Sequence, residues 1–321
     1  MLDISVHNNS IQIGPHFSVD CQRTLRIPDD EGTYPLPPGL GSFPIYRVED
    51  YAKRVPEAWN EHGGVFIPMY QREAMWLSFG GSDWCPSAVK VAVGKVNALT
   101  GKRLHKKLNR TRQNYLVTPN QPWLDGINAG EGYIRQFVAM PLGKGYTVEE
   151  QITGKGEFGG MQVIVYAPKE GEFHEPSEPS GVFHEEMAVY SPVMALESES
   201  VEMGLGAGGR MEQKIYPDEY GVAVWDTDNF GEVYVHIVNS EMFCQITDLE
   251  PPATPISAET YTKYGYPWFR LYDEFMPDIE APEVLAKVKT VHEVEQKEGA
   301  GGEMDDSVEV DKEQVLGIKL N

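Results

Sequence analysis

The sequence predicts a mainly β protein, with sandwich-like antiparallel sheets and a few short peripheral helices. Apolar and polar residues alternate over short stretches, as they do on half-buried strands. The 321 residues include 32 glycines and 23 prolines, enough to break the chain into many turns. Helical patterning is confined to brief segments after Val48 and toward the C-terminus.

Ile11 and Ile13, Phe17 and Val19, and Leu25 and Ile27 mark strands in the first forty residues, and a stiff proline- and glycine-rich loop follows from Tyr34 to Pro44. The run Val48 to His62 has helical composition. Pro56 lacks the amide hydrogen a helix interior needs, so two short helical pieces are expected. Strands are expected next at Val65–Met69, Ala74–Phe79 and Val89–Leu99. In the last of these, Val89, Val91 and Val93 alternate with an outward Lys90, which implies a sheet with one solvated face. Later strand candidates are Met161–Tyr166, Val182–Val189, Met194–Met203, Met211–Tyr216 and Glu232–Val238.

The glycine-rich run from Met203 to Arg210 is superficially like a dinucleotide fingerprint, but no helix pattern follows it. A glycine loop joining two strands is the expectation there. Ser257 can cap a short helix through Tyr264. Pro282 suits the first turn of another, with Val284, Val288 and Val291 on one face. Residues 1–298 are expected to form the β-rich globular region, as one unit or as two packed subdomains with a break near 167–181. Beyond it, 299–321 is glycine-rich and acidic, the composition of a disordered tail. Its apolar end, Val315 to Leu320, is expected to fray, with a short docking motif as the alternative.

A formal net charge of −22 repels nucleic acid and anionic membranes, so neither is expected as a partner. There is no apolar run of about 20 residues and no signal-peptide pattern at the start, so a cytoplasmic location is expected. Cys21, Cys85 and Cys244 are odd in number and widely spaced, and are expected to be reduced, buried thiols. Against the acidic background, no Asp or Glu occurs between Trp84 and Leu124, while Lys102, Arg103, Lys106, Lys107, Arg110 and Arg112 crowd one stretch. Such an island can hold a phosphate group, an acidic partner or the chain's own acidic tail, or it can be a solvated loop. Pairing with acidic surface, within the chain, on a protein partner or on a second copy, is favoured over nucleic acid because no aromatic residues are interleaved before Tyr115.

The densest segment runs from Gln113 to Gln162, where Gly126, Gly143 and Gly145 suit tight turns and Trp123, Phe137 and Tyr146 supply rigid anchors. Trp123 and Gln136 are candidate binding residues. Asp125, Glu149 and Glu150 can supply a general acid and base, and Arg135 can stabilise an anion, which defines a hydrolase or lyase alternative. The competing assignment has Asp125 accepting backbone hydrogen bonds in a turn, with both glutamates solvated. His174 and His184, in two His-Glu pairs ten residues apart, are candidate ligands for a metal- or small-ligand-binding module, although their spacing is not that of a zincin helix. His236 is expected to be a satisfied strand histidine. No Walker loop or GxSxG elbow occurs, and no cofactor is expected.

Four ordered motifs, Gln113–Gly126, Arg135–Gly154, Met203–Gly221 and Tyr264–Glu274, resemble a family of microbial soluble proteins of uncharacterised activity. The resemblance spans most of the chain and implies common ancestry, but no activity for particular residues. The leading expectation is a binding or assembly protein that acts through the 113–162 surface and the adjacent basic loop.

Overall fold

Strand pairing begins with the first alternating segments: Ser10–Ile13 pairs antiparallel with Phe17–Thr24, which pairs along its whole length with Ala74–Gly81. A computed structural model describes residues 1–176, 202–271, 276–298 and 308–318. The ladder continues through Phe137 and Val138 into Tyr133–Pro141 and on to Glu202–Glu212. A second ladder runs Leu116–Thr118, Ser87–Val93, Met161–Pro168, Trp225–Val238, with Val65–Pro68 added in parallel. Glu202 and Met203 pair with Val238 and Ile237 and join the two ladders into one large, mostly antiparallel sheet. The protein is therefore mainly β, with short helices at its margins.

One core cluster collects inward residues from both ladders, among them Val19, Leu77 and Phe137 from the first and Val91, Val163 and Val235 from the second. That arrangement is compatible with a sandwich. As expected, Val48–Tyr51 and Glu57–His62 form two short helical pieces on either side of Pro56. Ser257 caps Ala258–Lys263 by accepting from the Thr260 amide. The expected break near 167–181 falls partly outside the described residues, and strands from both sides of it share the sheet.

Several expectations are corrected. The strand Ser87–Val93 is buried on both faces, and Lys90 is 1% exposed instead of pointing outward. Its second face is roofed by Leu108, Tyr115 and Trp225, which pack with Ala88, Ile164 and Tyr166. Glu202–Glu212 is one continuous strand through the glycines, not a loop between strands. The glycines allow close approach there: a Cβ on Gly209 would lie 2.1 Å from the Pro28 carbonyl oxygen. Gly126 is likewise a strand residue, bare because the Arg135 carbonyl oxygen would lie 1.9 Å from its Cβ, whereas Gly143 and Gly145 do take positive φ in turns.

Leu25 and Ile27 are buried but not in a strand; the Gln136 side chain accepts from the Ile27 amide and donates to the Leu25 carbonyl, as a neighbouring strand would. The proline loop contains two short strands, Thr33–Tyr34 and Gly39–Ser42. The helix expected after Pro282 is split into Glu283–Ala286 and Val291–Glu298, with Val284 exposed. Cys244 is exposed, whereas Cys21 and Cys85 are buried. The tail is not disordered throughout: Val315–Ile318 pairs in parallel with Trp268–Leu271, so its apolar end docks. The expected strand Val182–Val189, most of Met194–Met203, and residues 299–307 lie outside the described residues.

Candidate functional site

The four candidate catalytic residues do not converge on one another. Glu149 follows the N-cap of the helix Val148–Thr153 and is 3% exposed. Its Oε1 accepts from the amides of Glu157 and Phe158 at 3.0 and 2.9 Å, and its Oε2 from that of Gly159 at 2.9 Å. Burial pushes its carboxyl up, and these three amides oppose the shift. Glu150 completes a capping box with Thr147 and also accepts from the Gly145 amide. Both glutamates thus organise backbone, a correction to their expected solvation.

Arg135, on the strand Tyr133–Pro141, is 7% exposed and lies 3.7 Å from Glu293. Gln136 is the buried strand mimic described above. Asp125 is 4% exposed and is held by a side chain, not by the turn amides expected of it: Gln213 Nε2 donates to Oδ2 at 2.7 Å, and Gln213 Oε1 accepts from the Asp125 amide at 3.1 Å. Burial pushes this carboxyl up to about 7. Asp125 lines a cleft of about 180 Å³ shared with Trp76 and Trp123.

The basic island is a braced loop. Lys90 Nζ, beneath it, donates to the carbonyls of His105 and Lys107 at 2.6 Å each, and Tyr166 Oη donates to the Lys106 carbonyl at 2.5 Å. Burial lowers the Lys90 ammonium to about 8, leaving it charged at neutral pH. Asn114 donates to the Lys107 carbonyl and accepts from the Asn109 amide. Gln113 donates to the Tyr115 and Tyr216 carbonyls and accepts from the Asp218 amide, and Tyr115 donates to the Asp218 carboxylate. Where three successive carbonyls face inward, the side chains of His105, Lys106 and Lys107 are exposed. Replacing Lys90 with Met is expected to leave the His105 carbonyl without its donor and to speed tryptic cleavage after Lys106 and Lys107 about tenfold or more, read by limited proteolysis.

The bracing sets Lys102, Arg110 and Arg112 along a cleft of about 770 Å³. Arg110 is steadied by a 2.9 Å hydrogen bond to the Asp218 carbonyl. The segment Ile279 to Val284 also lines it, and there Glu283 is tied to Lys287. Lys106 turns away, with Nζ 4.3 Å from the Phe230 ring centroid and 3.4 Å from Glu232. Arg103 and Lys107 are exposed outside the cleft lining.

His174 is exposed, His184 lies outside the described residues, and no group of three or more metal-ligating side chains occurs among the described residues. His236 Nε2 donates to the Gly63 carbonyl at 3.0 Å and the ring stacks on Trp59, and burial lowers it to about 4. Sequence reasoning missed Trp76, Asp218 and Lys90. For Lys90 a signal was present: it is the first basic residue of the acid-free stretch, so no carboxylate within six residues could accompany it inward.

No family model matches the chain, and neither a curated protein nor a solved structure matches it. No described helix is long and apolar enough to cross a membrane.

Proposed function

We propose that the protein works by binding, and that the cleft beside the basic loop receives an anionic ligand or an acidic segment of a partner. The observation that carries this reading is the set of buried donors fixing the loop's backbone from below, which places Lys102, Arg110 and Arg112 together along the cleft, with Arg110 held by the Asp218 carbonyl. A backbone already fixed spares the entropy of ordering the loop on binding. The cleft volume is within the range of about 300–1,000 Å³ for ligand sites. Glu280 and Glu283 also line the cleft, so the anionic end of the ligand would sit against Arg110 and Arg112. Acid/base catalysis is disfavoured because Glu149 and Glu150 each hold backbone amides of their own turn.

Isothermal titration with citrate, inorganic pyrophosphate and an oligoglutamate peptide tests the reading. At least one is expected to bind at low salt, to weaken about tenfold or more by 0.5 M salt, and to be lost in the Arg110→Ala/Arg112→Ala double variant. No binding at low salt, or binding that the double variant retains, would overturn it.

A further inference from the structure

We infer that the cleft between Trp76 and Trp123 is a second binding site, which takes a small organic cation with a substituted ammonium head. The two indoles come from neighbouring strands: Trp123 pairs with Ser78, so Trp76 lies diagonally across the same sheet face. Their rings meet edge to face at 6.4 Å and 80°. Pro37 and Phe269 add apolar walls, and the cleft's volume of about 180 Å³ suits a compact head group. Tryptophan is the strongest aromatic partner for a cation.

The charge inventory selects the ligand's sign. Among the described residues lining the cleft, Asp125 is the one ionisable group, and no Lys, Arg or His lines it. A carboxyl group that lines the same cleft as two indoles, with no cationic residue among them, complements a cation that brings the counter-charge. Gln213 binds one carboxylate oxygen and the backbone amide, fixing the group's orientation with a neutral partner. The cleft is also pre-formed. Thr24 Oγ1 donates to the Pro38 carbonyl at 2.8 Å, and a Cβ on Gly39 would lie 3.3 Å from Trp76, so the chain rests directly against the indole. Leu36 and Phe269 exchange backbone hydrogen bonds at 2.8 and 2.9 Å and close the floor.

Burial raises the free carboxyl to about 7, and a bound cation favours its ionised form. Cation uptake at pH 6 therefore releases a proton. This site shares no lining residue with the basic-loop cleft, so each reading can fail without the other.

The test uses choline and its uncharged carbon isostere 3,3-dimethyl-1-butanol, followed by tryptophan fluorescence and by calorimetry in buffers of different ionisation enthalpy. Choline is expected to saturate at millimolar concentration, to bind about tenfold or more tighter than the isostere, and to release protons at pH 6. Asp125→Asn is expected to weaken choline about tenfold or more, and Arg110→Ala/Arg112→Ala to leave it unchanged. Equal affinity for the isostere, or no saturable choline binding by the unmodified protein, overturns the inference. The isostere comparison needs no variant, so it decides the matter even if Asp125→Asn fails to fold.

Discussion

Asp125→Asn is expected to make the protein more stable above neutral pH, by up to about 4 kcal/mol at pH 8, while leaving stability at pH 3 to 4 nearly unchanged. The native carboxyl keeps its proton to about pH 7, whereas the ordinary value is 3.8. Between those values the folded state holds more protons than the unfolded chain, so stability falls as pH rises through the window. The asparagine has no charge to desolvate, and its amide oxygen can still accept from Gln213 Nε2. Urea denaturation of both proteins at pH 4 and pH 8 measures the effect. A stability difference independent of pH would show that Asp125 is ionised in the fold at no cost. Retaining a carboxylate that weakens the fold at neutral pH is the pattern expected of a group kept for binding.

Glu149→Ala is expected to cost roughly 3–5 kcal/mol, because it strands the Glu157, Phe158 and Gly159 amides together. Glu150→Ala removes one half of a capping box and is expected to cost only about 1 kcal/mol. Denaturant midpoints of the two variants separate a loop clamp from a helix cap. Equal, small losses would return Glu149 to the list of groups free for chemistry. A Cβ on Gly94 would lie 2.2 Å from Glu149 Oε2, so Gly94→Ala is disruptive for the same reason, with positive φ adding to it.

Local patterns carried most of the strands because each half-buried segment writes its own alternation: Ser10–Ile13, Phe17–Thr24 and Ala74–Gly81 lie where period two put them. Alternation misleads where both faces are covered. Lys90 reads as outward because a lysine is costly to bury alone, yet two carbonyls from the loop above it serve as its solvent. The glycines of Glu202–Glu212 read as a turn, since sequence distinguishes poorly between a glycine that bends the chain and one that admits a neighbour's carbonyl. At the candidate site, Trp123 and Asp125 were legible as unusual residues. Their companions Trp76 and Phe269 were not, because separations of 47 and more positions leave no local trace of who meets whom. Glu149 was visible as a carboxylate, but its three amide partners belong to a turn that only the folded chain forms.

The backbone clasp between Leu36 and Phe269 has a consequence for biosynthesis. The segment around Leu36 leaves the ribosome more than two hundred residues before its partner, a wait of roughly 10–50 s at about 5–20 residues per second. Throughout that interval Leu36 and Pro37, buried in the finished protein, lack the wall that Phe269 supplies. The nascent chain thus presents an apolar, proline-stiffened stretch to chaperones until Trp268–Leu271 emerges, and a transcript ending before that point releases a polypeptide with this surface uncovered.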